Sequence, residues 1–359
     1  MDHALFSSFT LGDLKLSNRI VMAPLTRNRA NLDDDTPSAL HARYYAQRAS
    51  AGLIISEGTQ ISAEGKGYFR TPGIYTSAQV EAWKAVTDAV HDKDGKIFCQ
   101  LWHTGRVSHT KFQPDGQPPV APSAIQADAQ TYAEGGMIDV SKPRALETDE
   151  IPRLVQDYVH AAKCAKEAGF DGVELHAANG YLIDQFFRES SNKREDQYGG
   201  SVENRTRILK EILDGLTTVW DSNRIGIRFS PFSHAGGVEL GDPMKTYLAA
   251  IEHANEAGVV YIHMIEGETG GKRTMSDAQI KQLRGAFNGT YMANNGYDRQ
   301  MAMDAIDEGT ADLICFGVPF IANPDLVARL EAGAELNQPN QETFYGGGAE
   351  GYTDYPFMT

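Results

Sequence analysis

The chain of 359 residues carries 33 basic and 48 acidic side chains, a formal charge of −15, with 41% apolar and 23% charged residues. This is the balance of a globular protein, and its acidic surplus argues against a nucleic-acid or anionic-membrane surface, since both call for a basic footprint. No apolar stretch approaches the roughly 18 residues of a spanning helix. The start, Met1-Asp2-His3-Ala4, lacks the basic-then-apolar layout of a signal peptide. The cysteines, Cys99, Cys164 and Cys315, lie too far apart for a local metal cluster or a disulfide framework. The expectation is a cytoplasmic enzyme.

One punctuation recurs along the chain: an amphipathic stretch, a glycine, then a short β-branched run. After a first apolar run, Ile20-Val21-Met22, Thr36-Pro37 reads as a helix start, a capping side chain before a first-turn proline. Ala51-Gly52 then precedes Leu53-Ile54-Ile55. A stripe of Val80, Trp83, Val86 and Val90 leads to Asp94-Gly95 and Lys96-Ile97-Phe98. Leu154, Tyr158, Ala162 and Ala165 lead to Ala168-Gly169 and Val173-Glu174-Leu175. Ile208, Ile212 and Leu216, widened by Leu209 and Leu213, precede Ile225-Gly226-Ile227-Arg228. Asp242-Pro243 starts the helix of Tyr247, Leu248 and Ile251, which reaches Ala257-Gly258 before Val259-Val260-Tyr261-Ile262. Thr290-Tyr291-Met292-Ala293 follows, then Glu308-Gly309 before Asp312-Leu313-Ile314-Cys315, and Asn323-Pro324 as a last start. Glycine after a helix takes the left-handed capping conformation cheaply, and short apolar runs suit strands buried on both faces. About eight such units predict one α/β domain over residues 1–359, a (β/α)8 TIM barrel.

Residues 104–147 break the rhythm with Pro114, Pro118, Pro119, Pro122, Gly116, Gly135 and Gly136 and no periodic run. Leaving strand three at the rim where barrel enzymes keep their sites, this segment is expected to cap the site as a lid. The glycine-rich tail, Phe344 to Gly348, has no Gly-Lys-Ser/Thr ending and is not a nucleotide P-loop. The strand ends carry Pro24-Leu25-Thr26, Ser56-Glu57-Gly58, Gln100-Leu101-Trp102-His103, His176 to Tyr181, Arg228, His263, Asn295-Gly296 and Gly317. There is no His-Glu-x-x-His metal pattern and no acid/base pair of carboxylates. Amides, a hydroxyl, an arginine, glycines and aromatics suit a large, flat, hydrogen-bonding ligand with a phosphate. Phosphate sites in barrels commonly follow strands seven and eight, where Asn295-Gly296 and Gly317 stand. Taken alone, the residues indicate a barrel enzyme with a phosphorylated cofactor or substrate. Singly, each has a plainer reading: His176 as a structural donor, Tyr181 as corner packing, Arg228 as a buried ion-pair partner of Glu174 or Glu266.

Several long strings together resemble the Old Yellow Enzyme family of FMN-dependent ene-reductases: Asn18 to Arg27, Gln100 to Arg106, Gly169 to Leu182, Asp196 to Arg205, and Gly351-Tyr352-Thr353-Asp354-Tyr355-Pro356. The pattern is most similar to bacterial members such as the pentaerythritol tetranitrate, morphinone and N-ethylmaleimide reductases. The resemblance implies bound FMN, held by Pro24, Leu25, Thr26, Gly58, Gln100, Arg228, Asn295, Gly296, Gly317 and Val318. Thr26 would meet the flavin O4, Gln100 its pyrimidine edge, and Arg228 the N1 and O2 side, where charge builds on reduction. His176 and Asn179 would bind the substrate's carbonyl or nitro oxygen, and Tyr181 would protonate its α-carbon. Trp102, Tyr68 and Tyr345 would shape the cavity. The implied activity is ping-pong hydride transfer from NADPH or NADH to activated alkenes (α,β-unsaturated carbonyls, maleimides, nitroalkenes), with nitrate esters as a further substrate class. The implied assembly is a monomer or small homo-oligomer.

Two positions depart from the family pattern. Valine stands at 318, where an arginine usually follows the strand-eight glycine, and Asn295 stands where glycine is common. Weaker FMN binding is expected, with the Asn295 amide, Lys272 or Arg273 as substitute phosphate donors. Gly58, where alanine is common, is expected to be tolerated. Arg106 and Arg144 are rim arginines that could select a 2′-phosphate on the reductant. The alternatives are another FMN barrel, of the dihydroorotate-dehydrogenase or α-hydroxy-acid-oxidase kind, and a flavin-poor relative without catalysis.

Overall fold

All eight apolar runs become parallel strands of one closed barrel: β1 (Ile20–Met22), β2 (Leu53–Ile55), β3 (Ile97–Trp102), β4 (Gly172–Ala177), β5 (Ile225–Phe229), β6 (Tyr261–Ile265), β7 (Thr290–Asn294) and β8 (Leu313–Phe316). Each pairs with the next, and β8 pairs with β1, Ile314 opposite Ile20, to close the cylinder. The computed structural model describes residues 3–239 and 241–358. Strand residues alternate between two cores. Ile54, Cys99, Leu101, Val173 and Leu175 point outward to the helices, while Val21, Leu53, Ile55, Phe98, Met292 and Leu313 point into the barrel. A short antiparallel hairpin, Phe9–Leu11 with Leu14–Leu16, brings Leu11, Leu14 and Leu16 against that inner core and stoppers the barrel where the strands begin.

The longer helices are α1 (Ala39–Gln47), α2 (Ser77–His91), α3 (Ile151–Glu167), α4 (Val202–Leu216), α5 (Pro243–Ala257), α6 (Asp277–Ala286), α7 (Arg299–Asp307) and α8 (Leu326–Ala332). The expected stripes of α2, α3 and α4 are buried, as are Tyr247 and Ile251 of α5. None of the described helices is long and apolar enough to cross a membrane.

Four local expectations need correction. Asp242 caps α5, accepting the Lys245 N–H at 3.1 Å, but the other two proline-marked starts are displaced. Ser38 takes the cap position of α1, its N–H donating to His41 Nδ1 at 3.0 Å, while Thr36 closes the preceding turn on Asp34. Asn323 ends a short helix, Val318–Ala322, and Asp325 stands before α8. Gly169, Gly258 and Gly309 are left-handed as expected. Gly52 is not; it is required by crowding, since a Cβ there would lie 2.1 Å from the Asn18 carbonyl oxygen. At the fifth site Asp94, not Gly95, takes the left-handed turn, at φ 57°.

The 104–147 segment has structure of its own. Val120–Ala121 pairs with Arg144–Ala145, and Gln130–Ala133 forms an antiparallel hairpin with Gly136–Asp139. The hairpin is tied down where Phe69 N–H donates to the Tyr132 carbonyl at 2.9 Å and the Thr131 hydroxyl donates to the Gly67 carbonyl.

Candidate active site

A cavity of about 680 Å³ opens where the strands end. On one side, Pro24, Leu25 and Thr26 leave β1 half-buried and line the wall. The two arginines at positions 27 and 29 clamp the C-terminal segment. Arg27 donates to the carbonyls of Phe344 (2.9 Å) and Gly351 (2.8 Å), and Arg29 to those of Gly348 (3.0 Å) and Thr343 (2.9 Å). Arg29 lies over the Tyr352 ring at 4.5 Å, and Tyr352 stacks on Tyr44 at 4.2 Å. Burial pulls the Arg29 guanidinium down to about 10. The clamp fixes Phe344 and Tyr345 in the opposite wall.

The Trp102 indole, at the end of β3, lies near-parallel to Tyr68 (5.5 Å) and to His176 (6.3 Å), and Tyr181 meets it edge-on at 5.0 Å. His176 closes the inward row of β4, and the chain then turns sharply through Asn179 (φ 60°) and Gly180 (φ 71°). Gly180 is obligatory: a Cβ would lie 2.1 Å from the Ala235 carbonyl oxygen. Its N–H donates to Asp184 at 2.9 Å, and Asp184 is held in turn by Arg188 Nε at 2.8 Å and the Tyr247 hydroxyl at 2.5 Å. Gln185 donates to the carbonyls of Thr104 and Gly180. A buried charged network thus fixes the backbone that carries Asn179 and Tyr181.

Protonation follows from burial. The Tyr181 phenol is pushed well above its ordinary value by desolvation and by Tyr68, whose hydroxyl lies 3.0 Å away. Tyr68 itself is pushed up to about 12. Both stay protonated at neutral pH. Desolvation, then the charges of Arg228 and His263, hold His176 well below the ordinary histidine range, so its ring is neutral, and its Nδ1 has no partner among the described residues. Asn179 Oδ1 accepts from the Thr269 hydroxyl at 2.6 Å, which leaves the amide nitrogen to face the cavity.

Arg228, buried at the end of β5, donates to Asn294 Oδ1 at 3.2 Å, and its Nε has no partner among the described residues. Neither expected carboxylate pairs with it. Glu266 is taken by Arg273 at 3.0 Å and by the hydroxyls of Tyr291 and Tyr297. Glu174 is taken by Gln100, His263 and Tyr261. The expected phosphate substitutes are likewise engaged or outside the cavity lining. The Asn295 amide donates to the Glu268 carbonyl at 3.1 Å, Arg273 sits on Glu266, and neither Lys272 nor Arg273 lines the cavity. Of the two rim arginines, Arg106 is buried on the carbonyls of Ile125, Gly236 and Gly237, and Arg144 is paired with Glu150 and Glu64.

Thirteen of the sixteen expected site residues line this one cavity; Gly58, Gln100 and His176 stand behind the lining. Gly58 packs beneath Trp102, where a Cβ would meet the indole Cε3 at 2.5 Å, so alanine would not be accommodated without movement. Gln100 lies one layer down. Residues the sequence did not single out complete the wall: Asn294, Thr269, Phe344, and Tyr132 and Met137 from the capping hairpin. Asn294 continues the inward alternation of Met292 on β7 and could have been found that way; Thr269 has no such signal.

FMN fits these residues. The unpartnered buried donors Arg228 Nε and Trp102 Nε1 lie on residues that line the cavity, and a Cβ at Gly296 would project into open space. A parallel barrel with such a site at the C-terminal ends of its strands defines a flavin-dependent oxidoreductase. The chain belongs to the NADH:flavin oxidoreductase / NADH oxidase family, whose sequence profile matches residues 4–337, and within it to the Old Yellow Enzymes. It is 45% identical over 360 residues to 12-oxophytodienoate reductase 1 of Oryza sativa subsp. japonica, covering 99% of this chain and 93% of that one. Among solved structures, morphinone reductase superposes with a TM-score of 0.95 at 48% identity, covering 100% of this chain and 97% of that one. The Old Yellow Enzyme homologue from Zymomonas mobilis does so with 0.94 at 44%, covering 99% and 100%. Morphinone reductase has also been solved in complex with tetrahydroNAD. The protein is an FMN-dependent NAD(P)H oxidoreductase that reduces activated carbon–carbon double bonds, which sets aside the α-hydroxy-acid-oxidase-like and non-catalytic alternatives.

Proposed function

We propose that His176, Asn179 and Tyr181 form the substrate-activating wall of this ene-reductase. FMN, when bound, relays two electrons from the nicotinamide to the alkene. Pro24, Leu25, Thr26, Gly58, Gln100 and Arg228 hold its ring, and Asn295, Gly296, Gly317 and Val318 border its phosphate. The neutral His176 ring and the free Asn179 amide nitrogen donate to the carbonyl or nitro oxygen of the substrate, where charge develops as the β-carbon is reduced. The protonated Tyr181 phenol delivers a proton to the α-carbon, and Tyr68, 3.0 Å behind it, holds its hydroxyl in place. Trp102, Tyr68 and Tyr345 shape the alkene's space, with the 104–147 segment as the cap. Enones, maleimides and nitroalkenes all present the required oxygen; nitrate esters fit the same wall as a secondary activity.

Because Arg106 and Arg144 are engaged, neither is free for a 2′-phosphate, and NADH serves at least as well as NADPH. The acidic chain suits a cytoplasmic monomer or small homo-oligomer without nucleic-acid or membrane partners. The observation that carries the reading is the Tyr181 hydroxyl, kept protonated by burial on the wall that also carries the Asn179 amide. Tyr181→Phe tests it by stopped flow. Flavin reduction by NADH should be unchanged and reoxidation by 2-cyclohexenone slowed about 10²-fold, the scale of general acid catalysis. Equal reoxidation rates would remove Tyr181 from the reaction.

A further inference from the structure

Under the cavity floor the barrel interior is polar along β3, β4 and β6 and apolar elsewhere. Gln100, Glu174, Tyr261 and His263 face inward there, all fully buried. Glu174 accepts from the other three: from Gln100 Nε2 at 2.8 Å on one carboxylate oxygen, and on the other from His263 Nδ1 at 2.9 Å and the Tyr261 hydroxyl at 3.1 Å. A buried carboxylate is costly unless so satisfied. Desolvation is outweighed by the hydrogen-bonded His263 ring, the charge of Arg228 and the Gln100 hydrogen bond, so Glu174 stays ionised, while burial lowers His263 and keeps its ring neutral at neutral pH. Gln100 is then not free to rotate. With its amide nitrogen on Glu174, it turns its oxygen the other way, so that end of the side chain can only accept.

We propose that Glu174 is a positioning residue for the flavin: it fixes Gln100 as an acceptor for the imide N–H of FMN, and it places a negative charge below Arg228 that holds down the reduction potential of the bound cofactor. This rests on the reading that Gln100 and Arg228 stand against FMN. Cross-strand register makes the arrangement, with Glu174 opposite Gln100 on β3 and Arg228 opposite both His176 and His263. The carboxylate therefore sits one inward layer below the guanidinium. Replacing it by a neutral amide removes the charge and frees Gln100 to flip.

The test uses Glu174→Gln in the full chain, with FMN affinity measured by flavin-fluorescence quenching and the two-electron potential of bound FMN measured by dye equilibration. Affinity should fall at least tenfold. The potential should rise by the equivalent of a tenfold gain in the preference for reduced over oxidised flavin, about 30 mV. In a Gln100→Leu background the affinity effect of Glu174→Gln should vanish while the potential shift persists, because only the first acts through Gln100. Glu174→Asp, which keeps the charge but withdraws it from Gln100, should weaken FMN and leave the potential unchanged; it carries the test if Glu174→Gln does not fold. Unchanged affinity and potential in these variants overturn the proposal, as does an affinity effect of equal size in the Gln100→Leu background. Wild-type protein that binds no FMN overturns it together with the reading it rests on, and is told apart by being seen before any substitution is made.

Discussion

Val318→Arg should tighten FMN binding. Val318 opens the short helix after β8, is 49% exposed, and lines the same end of the cavity as Asn295, Gly296 and Gly317. Its side chain offers a phosphate nothing, and neither Lys272 nor Arg273 lines the cavity. A hydrogen bond to a charged group contributes roughly 1.5–3 kcal/mol, or about ten- to more than a hundredfold in Kd. Half exposure screens the new charge and favours the low end, so a gain of about tenfold is expected. The substitution crowds nothing, because the side chain already points out of the core. Titrating deflavinated wild-type and variant protein with FMN gives the comparison directly. The gain should shrink as salt rises toward about 1 M, where screening is nearly complete over a few ångströms. A variant Kd within twofold of wild type at low salt would mean that the phosphate does not lie at this end of the cavity.

Gly58→Ala should narrow the substrate range. Its Cβ would stand 2.5 Å from Trp102 Cε3 and 2.7 Å from Cδ2. Since Tyr68 and His176 lie parallel to the indole and Tyr181 meets it edge-on, the ring is expected to shift toward the cavity, at an overpacking cost of about 1–3 kcal/mol. KM for a ring-substituted cyclohexenone should rise several-fold while small acyclic enones are spared; an unchanged ratio would show that Trp102 yields elsewhere. Acid should destabilise the fold through His103, which burial holds at about 4. The unfolded chain takes up that proton near 6.5, so between these values it binds more protons than the folded state and stability falls with pH. The loss at this one group is about 2 kcal/mol by pH 5. Urea denaturation at pH 7 and pH 5 should show this increment disappear in His103→Asn, which keeps an acceptor for the Gly105 N–H; an identical pH dependence in both proteins would assign the acid lability to other groups.

The barrel was legible because its strands are buried on both faces and so read as unbroken apolar runs, and because the α2, α3 and α4 stripes face them. The loops after β1, β3 and β4 were legible as strings of unlike polar residues that no core needs. What could not be read was which partner each buried polar group takes. Glu174 and Glu266 were both candidates for Arg228. Barrel register decides otherwise, setting Glu174 against Gln100 and leaving Glu266 with Arg273, Tyr291 and Tyr297. The demand for glycine at 58 is equally non-local, coming from the ring of Trp102 on β3. The Gln130–Asp139 hairpin escaped notice because only Thr131 and Ala133 of its strands are buried, too few to produce an alternation among prolines and glycines.

The stopper of Leu11, Leu14 and Leu16 bears on traffic. A barrel corked at its base, with a tyrosine-bearing C-terminal strap and a hairpin narrowing its mouth, offers nicotinamide and alkene the same doorway. The two visitors must take turns, each barring the other while it lingers, so a poorly leaving product would throttle both half-cycles at once. Widening the doorway at Met137 or Tyr345, two exposed residues at its edge (56% and 55%), would then quicken the exchange of guests without touching the groups that do the chemistry.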